Sequence, residues 1–396
     1  MTAAPDDTAS QPAARSALDY PALVGILGGG QLARMTAEAA AMLGVEVAIL
    51  EHEANSPAGR IAVREVTGAW MDEQALAALA RDALAVTLEN EFVEVGALKW
   101  LAARGVPVYP TARTLAAVQD KLLQKRHMRA AGIPLPNFAE VTRPEDIIAA
   151  GEAWGWPLVL KARRNGYDGY GNATLHGPDD SADACSRLGW PERELLVEAW
   201  APFTRELAVM VARGRDGVCV VYPVVETVQQ NHICHIVRAP AAGDAAMLAR
   251  AAAIARQAVE TIDGIGVFGV ELFAFEDGSI LYNEIAPRPH NSGHYTIEGC
   301  VTSQFENHLR AVLGLPLGSA AMVAPAAVMV NLLGKRAGPA RADGLAEALA
   351  IPGAHVHIYG KLASRIGRKM GHVTALGATI AEAEAIARAA ADAITL

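Results

Sequence analysis

The segment VFGVELFAFEDGSILYNEIAPRPHNSGH, residues Val267–His294, predicts a β-hairpin followed by a polar loop. Apolar, aromatic and β-branched residues fill both arms, and the Asp277-Gly278 dipeptide between them is typical of a two-residue type I′ turn. Counting outward from that turn gives the cross-strand pairs Phe275 with Ile280, Phe273 with Tyr282, and Glu271 with Glu284. We therefore expect the two glutamates to lie opposite each other on one face of the hairpin.

Two facing carboxylates in an apolar hairpin repel each other unless one is protonated or a cation lies between them. Oxygen ligands on a rigid sheet suit Mg²⁺, which usually takes one or two protein carboxylates and completes its shell with water and phosphate oxygens. The alternatives are a solvated pair of acids at the rim of a sheet and a register slip that separates the two acids. The loop that follows favours a site, because it crowds polar residues into a segment broken by Pro and Gly. These residues are Arg288, His290, Asn291 and His294.

Composition limits the classes of function. The chain has 396 residues, enough for two or three domains, and its net charge of −9 argues against a general nucleic-acid or anionic-membrane binder. The longest apolar run, Ala320–Val330, contains Pro325 and is too short to cross a bilayer. The cysteines form no Cys-x-x-Cys pair, which is typical of a reduced, cytoplasmic protein. Residues 1–20 have no apolar core and predict a disordered tail.

An amino-terminal segment has the pattern of a phosphate-binding turn. The strand Leu23–Leu27 leads into Gly28-Gly29-Gly30, a helix follows, and a second strand ends at Glu51. This order fits the dinucleotide fingerprint G-x-G-x-x-G/A, but the same turn also binds other phosphates or is purely structural in many doubly wound domains. Helices and strands then alternate to about residue 110. This alternation predicts a parallel sheet, with Glu89-Asn90 at the ligand-binding carboxyl end of one strand.

The middle of the chain places a lysine beside a glycine-rich loop. One long basic helix is expected over residues 111–131, with Lys121, Lys125 and Arg126 on a solvated face. The strand Leu158–Lys161 is followed by RRNGYDGYG, residues 163–171, which is not a Walker A loop. Its backbone N–H groups could close over a polyphosphate that the lysine neutralises, although an ordinary glycine-rich hairpin fits equally well.

These motifs, taken in order, resemble the ATP-grasp superfamily, in which two α+β subdomains clamp ATP. Within it, the sequence is similar to the 5-(carboxyamino)imidazole ribonucleotide synthases of purine biosynthesis. The similarity is carried by GILGGGQLARM at Gly25–Met35, RRNGYDGYG at Arg163–Gly171, and NEIAPRPHNSGHYT at Asn283–Thr296. It covers nearly the whole chain after the tail.

The resemblance implies a fold that combines α/β and α+β parts. Residues 21–117 would form a Rossmann-like pre-ATP-grasp domain built on a doubly wound parallel sheet. Residues 118–318 would form the ATP-grasp domain, with a lid subdomain at about 135–200. Residues 319–396 would form a small α+β cap.

The resemblance also implies an activity. The family uses ATP, Mg²⁺ and bicarbonate to carboxylate 5-aminoimidazole ribonucleotide by way of carboxyphosphate, giving ADP and phosphate. Because that anhydride hydrolyses in water, we expect a lid to exclude solvent until the amine attacks. The expected partners are these small molecules, with no nucleic acid and no membrane, and the expected assembly is a cytoplasmic homodimer.

Site residues follow from the resemblance position by position. ATP would contact Lys121, Lys161, Asn165, Gly166, Gly169, Gly171, Glu198, Ala199, Trp200, Glu206 and Asn283. Mg²⁺ would bind to Glu271 and Glu284. Catalysis would involve Tyr167, Asp168, Arg288, His290 and Lys369. The ribonucleotide would contact Gln31, Leu32, Glu89, Asn291, His294 and Arg368. The chain departs from the family at Lys121, where some members have arginine, and at Gln229, where histidine is frequent.

Rival functions belong to different classes. Another ATP-grasp ligase, such as a glycinamide ribonucleotide transformylase or a biotin-carboxylase-like enzyme, would share the nucleotide site. The glycine fingerprint also permits an NAD(P)-dependent dehydrogenase. A non-catalytic nucleotide-binding module would tolerate Glu284→Gln without losing any activity.

Overall fold

The computed structural model describes residues 15–166, 171–230 and 232–396. Its amino-terminal part forms the predicted parallel sheet, and the structure gives the strand order as β3-β2-β1-β4. The strands are β1 Ala22–Leu27, β2 Val45–Glu51, β3 Arg64–Thr67 and β4 Ala85–Leu88, with helices α1 Gln31–Met42, α2 Glu73–Ala80 and α3 Val95–Ala102. The alternation to about residue 110 also predicts a strand at Val106–Tyr109, and the structure has one parallel bridge there, between Val86 and Val108. All six residues of β1 are buried, which explains its unbroken apolar run.

The long basic helix predicted over residues 111–131 is two helices, α4 Ala112–Gln119 and α5 Lys121–Ala130. The break lies at Asp120, whose backbone is extended and whose carboxylate accepts the Leu122 N–H at 2.9 Å. The same carboxylate also binds the guanidinium of Arg163. A capping acid held by a distant arginine interrupts the helix, and a helical pattern alone does not reveal this.

A smaller antiparallel sheet, called the lid sheet below, has the strand order β5-β8-β6-β7 and lies where the lid is expected. Its strands are β5 Phe138–Val141, β6 Leu158–Ala162, β7 Asn172–Leu175 and β8 Leu195–Ala199, and helices α6 Pro144–Trp154 and α7 Ser181–Arg187 pack on it. Leu195 and Val197 of β8 are fully buried beneath these helices. The alternate residues, Leu196 and Glu198, therefore face the opposite side, toward α5.

The largest sheet has the order β14-β13-β9-β11-β12-β15-β19-β17, with β10 added beside β9. Its first strands are β9 Arg205–Arg213, β10 Cys219–Val221, β11 Val225–Gln230, β12 Ile233–Ala239, β13 Gly266–Ala274 and β14 Ile280–Ala286. The others are β15 Ala326–Leu333, β17 Ala354–Ile358 and β19 Lys369–Gly377. Helices α8 Ala245–Thr261, α9 Thr296–Gly299, α10 Gln304–Leu313, α11 Leu345–Leu349 and α12 Ile380–Ala393 accompany it, and β16 Gly338–Pro339 pairs with β18 Ala363–Ser364.

The carboxy-terminal elements form the expected α+β unit, but their strands continue the large sheet. Strand β15 pairs antiparallel with β12, with Ile236 opposite Val330. The composition of the basic segment Gly367–His372 favours a turn, but this prediction is wrong from Lys369 onward, where β19 begins. No helix within the described ranges is both long and apolar enough to cross a membrane.

The predicted hairpin is formed by β13 and β14, and Glu271 lies opposite Glu284 as predicted. The predicted type I′ turn is wrong. Phe275 N–H donates to the Ser279 carbonyl at 3.1 Å, so the loop has three residues, with Gly278 in the left-handed region at φ +79°. The two predicted pairs nearest the turn are therefore also wrong: Ala274 pairs with Ile280, Phe273 with Leu281, and Leu272 with Tyr282.

A bulge at Asn283 explains why the glutamates still meet. The register shifts by one residue between the Leu272–Tyr282 pair and the Glu271–Glu284 pair, which leaves Asn283 as the extra residue of β14. The additional loop residue moves the register one way and the bulge moves it back. The glutamate pairing was thus correct although the turn assumed for it was not.

Candidate active site

The described residues enclose a cleft of ≈ 1510 Å³ between the parallel sheet, the lid sheet and the β13–β14 hairpin. Most of the predicted site residues line it. They are Gln31, Leu32, Glu89, Lys121, Lys161, Asn165, Gly166, Glu198, Ala199, Glu206, Glu271, Asn283, Glu284, Arg288, His290, Asn291, Arg368 and Lys369. Gln229, which departs from the family pattern, lines the cleft as well. Residues far apart in the chain therefore meet at one site.

A few predicted residues lie elsewhere. His294 is fully buried away from the cleft, where its Nδ1 lies 3.2 Å from the Gln304 amide and its ring contacts Phe305. Among the described residues that line the cleft, neither Trp200, whose side chain is exposed, nor Gly171 is found. The predicted residues Tyr167, Asp168 and Gly169 lie outside the described residues.

The pKa values of the two facing glutamates are shifted in opposite directions. Burial and the neighbouring charge of Glu284 raise the pKa of Glu271. Burial also acts to raise the pKa of Glu284, but the ammonium of Lys121, with which it forms an ion pair, outweighs burial and lowers that pKa. One acid of the pair thus holds a proton more readily than the other, as expected for close carboxylates without a cation between them.

The oxygen atoms at the Glu271–Glu284 pair suit a hard cation as ligands. Asn283 Oδ1 is buried and has no hydrogen-bond partner among the described residues, while its Nδ2 lies 3.4 Å from Glu271. This adds an amide oxygen to the two carboxylates. The described residues contain no group of three His, Cys, Asp or Glu that could hold an ion. An oxygen-only, incomplete protein shell suits Mg²⁺, which keeps water and phosphate oxygens among its ligands.

A buried charge cluster lies beside the hairpin. The carboxylate of Glu198 is placed between Lys161, at 3.0 Å, and Lys125, at 3.1 Å. Burial acts to raise the pKa of Glu198, but the two ammonium groups hold it below its usual range. Sequence reasoning placed Lys125 on a solvated face, whereas its side chain is 2% exposed. The i, i+4 spacing of Lys121 and Lys125 was the available signal, because it puts both on one face of α5.

Arg288 is held by an acid that sequence reasoning missed. Its Nη2 lies 3.0 Å from Oε1 of Glu91, which is on the loop after β4, and its Nε binds the second oxygen. His290 lies 3.5 Å from Glu271, and its Nδ1 is 2.8 Å from the Ser292 hydroxyl. Burial, reinforced by the charge of Arg288, lowers the pKa of His290 to about 4, so this imidazole is neutral at physiological pH.

In the glycine-rich turn before α1, backbone N–H groups donate hydrogen bonds to carboxylates of the same chain. Gly29 N–H donates to Glu51 at 2.8 Å, and Ala33 N–H donates to Glu89 at 2.9 Å. Burial raises the pKa of Glu89. A nicotinamide dinucleotide needs these N–H groups for its pyrophosphate. The arrangement therefore favours a structural turn that positions two carboxylates.

Two further predicted residues make polar contacts within the protein. Glu206 accepts a hydrogen bond from Gln229 at 2.8 Å, and burial raises the pKa of Glu206. The Asn291 amide is paired in both directions with Asn331, at 3.0 and 2.6 Å.

A basic rim of Lys361, Arg365, Arg368 and Lys369 lies at the carboxy-terminal side of the cleft. Sequence reasoning missed Lys361, which donates to the Lys369 carbonyl at 2.7 Å. Burial, together with Arg368, lowers the pKa of Lys361 to about 7. The rim is suited to an anionic group that could restore the full charge of this lysine.

Family models match three successive parts of the chain. They are a ribonucleotide synthetase pre-ATP-grasp domain at residues 22–119, an ATP-grasp domain at 126–305, and a phosphoribosylaminoimidazole carboxylase C-terminal domain at 327–386. This order reproduces the predicted architecture.

Similar proteins agree with these matches. The chain is 45% identical over 353 residues to an N5-carboxyaminoimidazole ribonucleotide synthase of Synechococcus elongatus, covering 89% of this chain and 88% of that protein. It is 44% identical to a phosphoribosylaminoimidazole carboxylase of Schizosaccharomyces pombe, of whose length it spans 66%. A solved N5-carboxyaminoimidazole synthase of Aspergillus clavatus, in complex with ADP and 5-aminoimidazole ribonucleotide, has a TM-score of 0.86 and 41% identity, covering 94% of this chain and 98% of that one. The chain belongs to the N5-carboxyaminoimidazole ribonucleotide synthase family of ATP-grasp proteins.

Proposed function

We propose that this protein is an ATP-dependent ligase that carboxylates 5-aminoimidazole ribonucleotide with bicarbonate. The products would be N5-carboxyaminoimidazole ribonucleotide, ADP and phosphate, a step of purine biosynthesis. The observation that carries the proposal is the single cleft that joins the Glu271–Glu284 pair and its lysines to Glu89 and the basic rim. A nucleotide triphosphate and a phosphorylated amine substrate can therefore meet in it.

The nucleotide would bind between the lid sheet and the hairpin. Lys121 and Lys161 would neutralise its phosphates, and the Asn165–Gly171 loop would cover them. Glu198, with the backbone of Ala199, would bind the adenine, and Glu206 the ribose. Support comes from the buried placement of Glu198 and from the position of both lysines in the cleft.

Mg²⁺ would be held by Glu271 and Glu284, with Asn283 Oδ1 as a further oxygen. When bound, the ion supplies positive charge that stabilises the transferring phosphoryl group. Lys121, paired with Glu284 in this structure, would then be available to the phosphates.

The chemistry would proceed in two steps. A bicarbonate oxygen attacks the γ-phosphorus in line, the bond to the ADP oxygen breaks, and carboxyphosphate forms. The amine of the ribonucleotide then forms the new C–N bond while the C–O bond to phosphate breaks, and the amine loses a proton. Arg288 would stabilise the carboxylate and phosphate charges, with neutral His290 beside it to orient bicarbonate. Tyr167 and Asp168 would act from the lid.

The ribonucleotide would lie toward the amino-terminal sheet. Gln31, Leu32 and Glu89 line that side of the cleft, and its phosphate would bind to the rim that contains Arg368 and Lys369. Asn291 also lines the cleft, whereas the buried position of His294 supports a structural role for that residue. We further propose that the protein is cytoplasmic and that it forms a homodimer. Light scattering of the purified protein would test the homodimer.

An isotope experiment tests the reaction. With ¹⁸O-labelled bicarbonate and 5-aminoimidazole ribonucleotide, we expect ADP release and one ¹⁸O in the phosphate product, because the attacking oxygen stays on phosphorus. Glycinamide ribonucleotide with formate, and biotin, serve as competing substrates. ADP release that depends on one of these instead would assign the protein to another ATP-grasp activity.

A further inference from the structure

The bulge at Asn283 decides which face Glu284 occupies. With the register that the hairpin has near its loop, Asn283 would lie opposite Glu271, and Glu284 would lie opposite Val270. A slip of one residue moves a side chain to the other face of a sheet. Glu284 would then point away from Glu271. The metal site proposed above therefore depends on this one irregular residue.

Two adjacent residues of α5 hold the bulge from outside the hairpin. Gln124 Oε1 accepts the Tyr282 hydroxyl at 2.7 Å and the Ile285 N–H at 3.2 Å, and its Nε2 donates to the Ile285 carbonyl at 3.1 Å. Lys125 Nζ donates to the carbonyl of Asn283 itself at 3.0 Å. The dipeptide thus contacts the bulge residue and a residue on each side of it.

Burial makes these contacts selective for one geometry. Gln124 and Lys125 are 3% and 2% exposed, so neither can exchange its protein partners for bulk water. A buried amide or ammonium that loses a partner destabilises the fold. With the bulge at Asn283, the hairpin supplies partners to both groups, in addition to the Val118 carbonyl for Gln124 and Glu198 for Lys125. Apolar side chains would fill the same space without specifying the register.

Lys125 also connects the bulge to the lid sheet. Its ammonium lies 3.1 Å from Glu198 of β8 and 3.0 Å from the Asn283 carbonyl of β14. The residue proposed to bind adenine and the strand proposed to bind the metal therefore share one cation. Movement of either strand would cost Lys125 one of its two partners.

We propose that Gln124 and Lys125 are positioning residues that keep the bulge at Asn283 and thereby hold the Glu284 carboxylate opposite Glu271. This inference rests on the proposed function for the identity of the ion. Neither residue touches a reacting atom in this scheme; both act through Glu284.

The test measures how strongly a metal improves ADP binding, as the ratio of ADP affinities with and without saturating Mn²⁺. This ratio reports the metal site and does not require turnover. We expect Lys125→Met and Gln124→Met to lower the ratio by about tenfold, the scale of losing an outer residue that orients a metal ligand. Arg126→Met, an exposed change on the same helix, should leave it unaltered.

A double variant separates positioning from charge balance. Lys125→Met leaves Glu198 with one cation fewer, and Glu198→Gln removes that imbalance. We expect Glu198→Gln alone to weaken ADP binding equally with and without Mn²⁺, leaving the ratio unchanged. Lys125→Met/Glu198→Gln should keep the low ratio of Lys125→Met, because the Asn283 carbonyl still lacks its donor.

The outcomes distinguish the two proposals. A wild-type ratio near one would reject the metal site and, with it, the positioning role. A large wild-type ratio that folded Lys125→Met and Gln124→Met retain would reject the positioning role alone. Recovery of the ratio in the double variant would also reject it, since charge balance would then explain the effect of Lys125. Circular dichroism establishes that each variant is folded.

Discussion

Lys161 and Glu198 form an ion pair, with Nζ 3.0 Å from Oε2, on the side of the cleft where we propose that the nucleotide binds. The same pattern recurs at Lys121 with Glu284 and at Arg288 with Glu91. Each of these three cations, which we propose to contact the phosphates or the developing carboxylate, is thus already paired with a carboxylate. Substrate binding would exchange one anion for another at these positions, so none of the three needs to lie without a partner before ATP arrives.

Lys161→Met should weaken ADP and ATP binding by about tenfold, because a charge-assisted hydrogen bond contributes about 1.5–3 kcal/mol and part of it is offset by release of Glu198. Isothermal titration with Mg²⁺ present measures the change. Lys99→Met, on the exposed face of α3, is the matched control. Equal affinities for Lys161→Met and wild type would remove Lys161 from the phosphate site.

Glu284→Gln should reduce turnover on the order of 100-fold or more, the scale of losing one preorganised electrostatic group at a reacting phosphate. Nucleotide binding without metal should be retained or improved, because a negative charge is removed near the phosphates. Steady-state kinetics and metal-free ADP titration provide the two measurements. Glu276→Gln changes an exposed acid in the loop of the same hairpin and should behave as wild type. Full turnover by Glu284→Gln would instead support a different metal site.

Asp120→Asn should lower the free energy of unfolding by about 1.5–3 kcal/mol, the contribution of a hydrogen bond to a charged group, because Arg163 keeps its pairs with Glu140 and Glu194. The Asp120 carboxylate is 1% exposed and binds both the Nε and the Nη2 of Arg163. Arg164 lies 3.6 Å from the same carboxylate but is 47% exposed, so Arg164→Ala should cost less than about 1 kcal/mol. Urea denaturation of both variants checks this. Similar losses for the two would mean that burial does not set the strength of the Asp120 pair.

Much of the fold follows from sequence patterns, because regular elements have regular signals. The parallel sheet was predictable from alternating apolar strands and helices. Features held by distant contacts were not. The helix break at Asp120 depends on Arg163, and the inward face of Lys125 depends on Glu198. Local periodicity carries no information about either partner.

In the candidate site, too, features with a local sequence pattern were predicted and features set by distant contacts were not. The Glu271–Glu284 pair was predicted, although two irregularities of the hairpin compensate for each other to produce it. His294 shares a polar loop with His290, yet the chain turns it into the interior beside Phe305. Lys361 stands in a segment with no motif. It follows β17, which pairs with β19 at the edge of the large sheet, so its position beside the cleft depends on the assembled topology.

The ribonucleotide phosphate should be bound with uptake of a proton at Lys361. The pKa of this buried lysine is lowered to about 7, and an adjacent dianion would raise it, so affinity should fall as pH rises above 7. Titrating 5-aminoimidazole ribonucleotide in buffers of different ionisation enthalpy measures the uptake. Lys361→Met should abolish the pH dependence, and Lys335→Met, outside the cleft, should not. The same proton uptake in Lys361→Met would assign it to another group.

Lys361 also affects stability. Its folded pKa lies below the ordinary lysine value of 10.5, so between pH 7 and 10.5 the unfolded chain binds more protons than the folded one. The contribution of Lys361 should therefore make the protein more stable as pH rises through this window. Lys361→Met should flatten the dependence of the unfolding midpoint on pH there. A steeper dependence in the variant would contradict the sign.

Gly30→Ala should impair the ribonucleotide site while sparing the nucleotide site. Gly30 has φ −76°, so alanine brings no backbone strain, but its Cβ would overlap Oε1 of Glu89. Glu89 must then move and lose the N–H of Ala33, and we expect the KM for 5-aminoimidazole ribonucleotide to rise about tenfold, as for loss of one hydrogen bond to a charged group. ADP affinity should not change. Gly177→Ala, where an added Cβ meets nothing within 4 Å, controls for the substitution itself. A variant that loses ADP affinity and keeps its KM would place the nucleotide, rather than the ribonucleotide, at this turn.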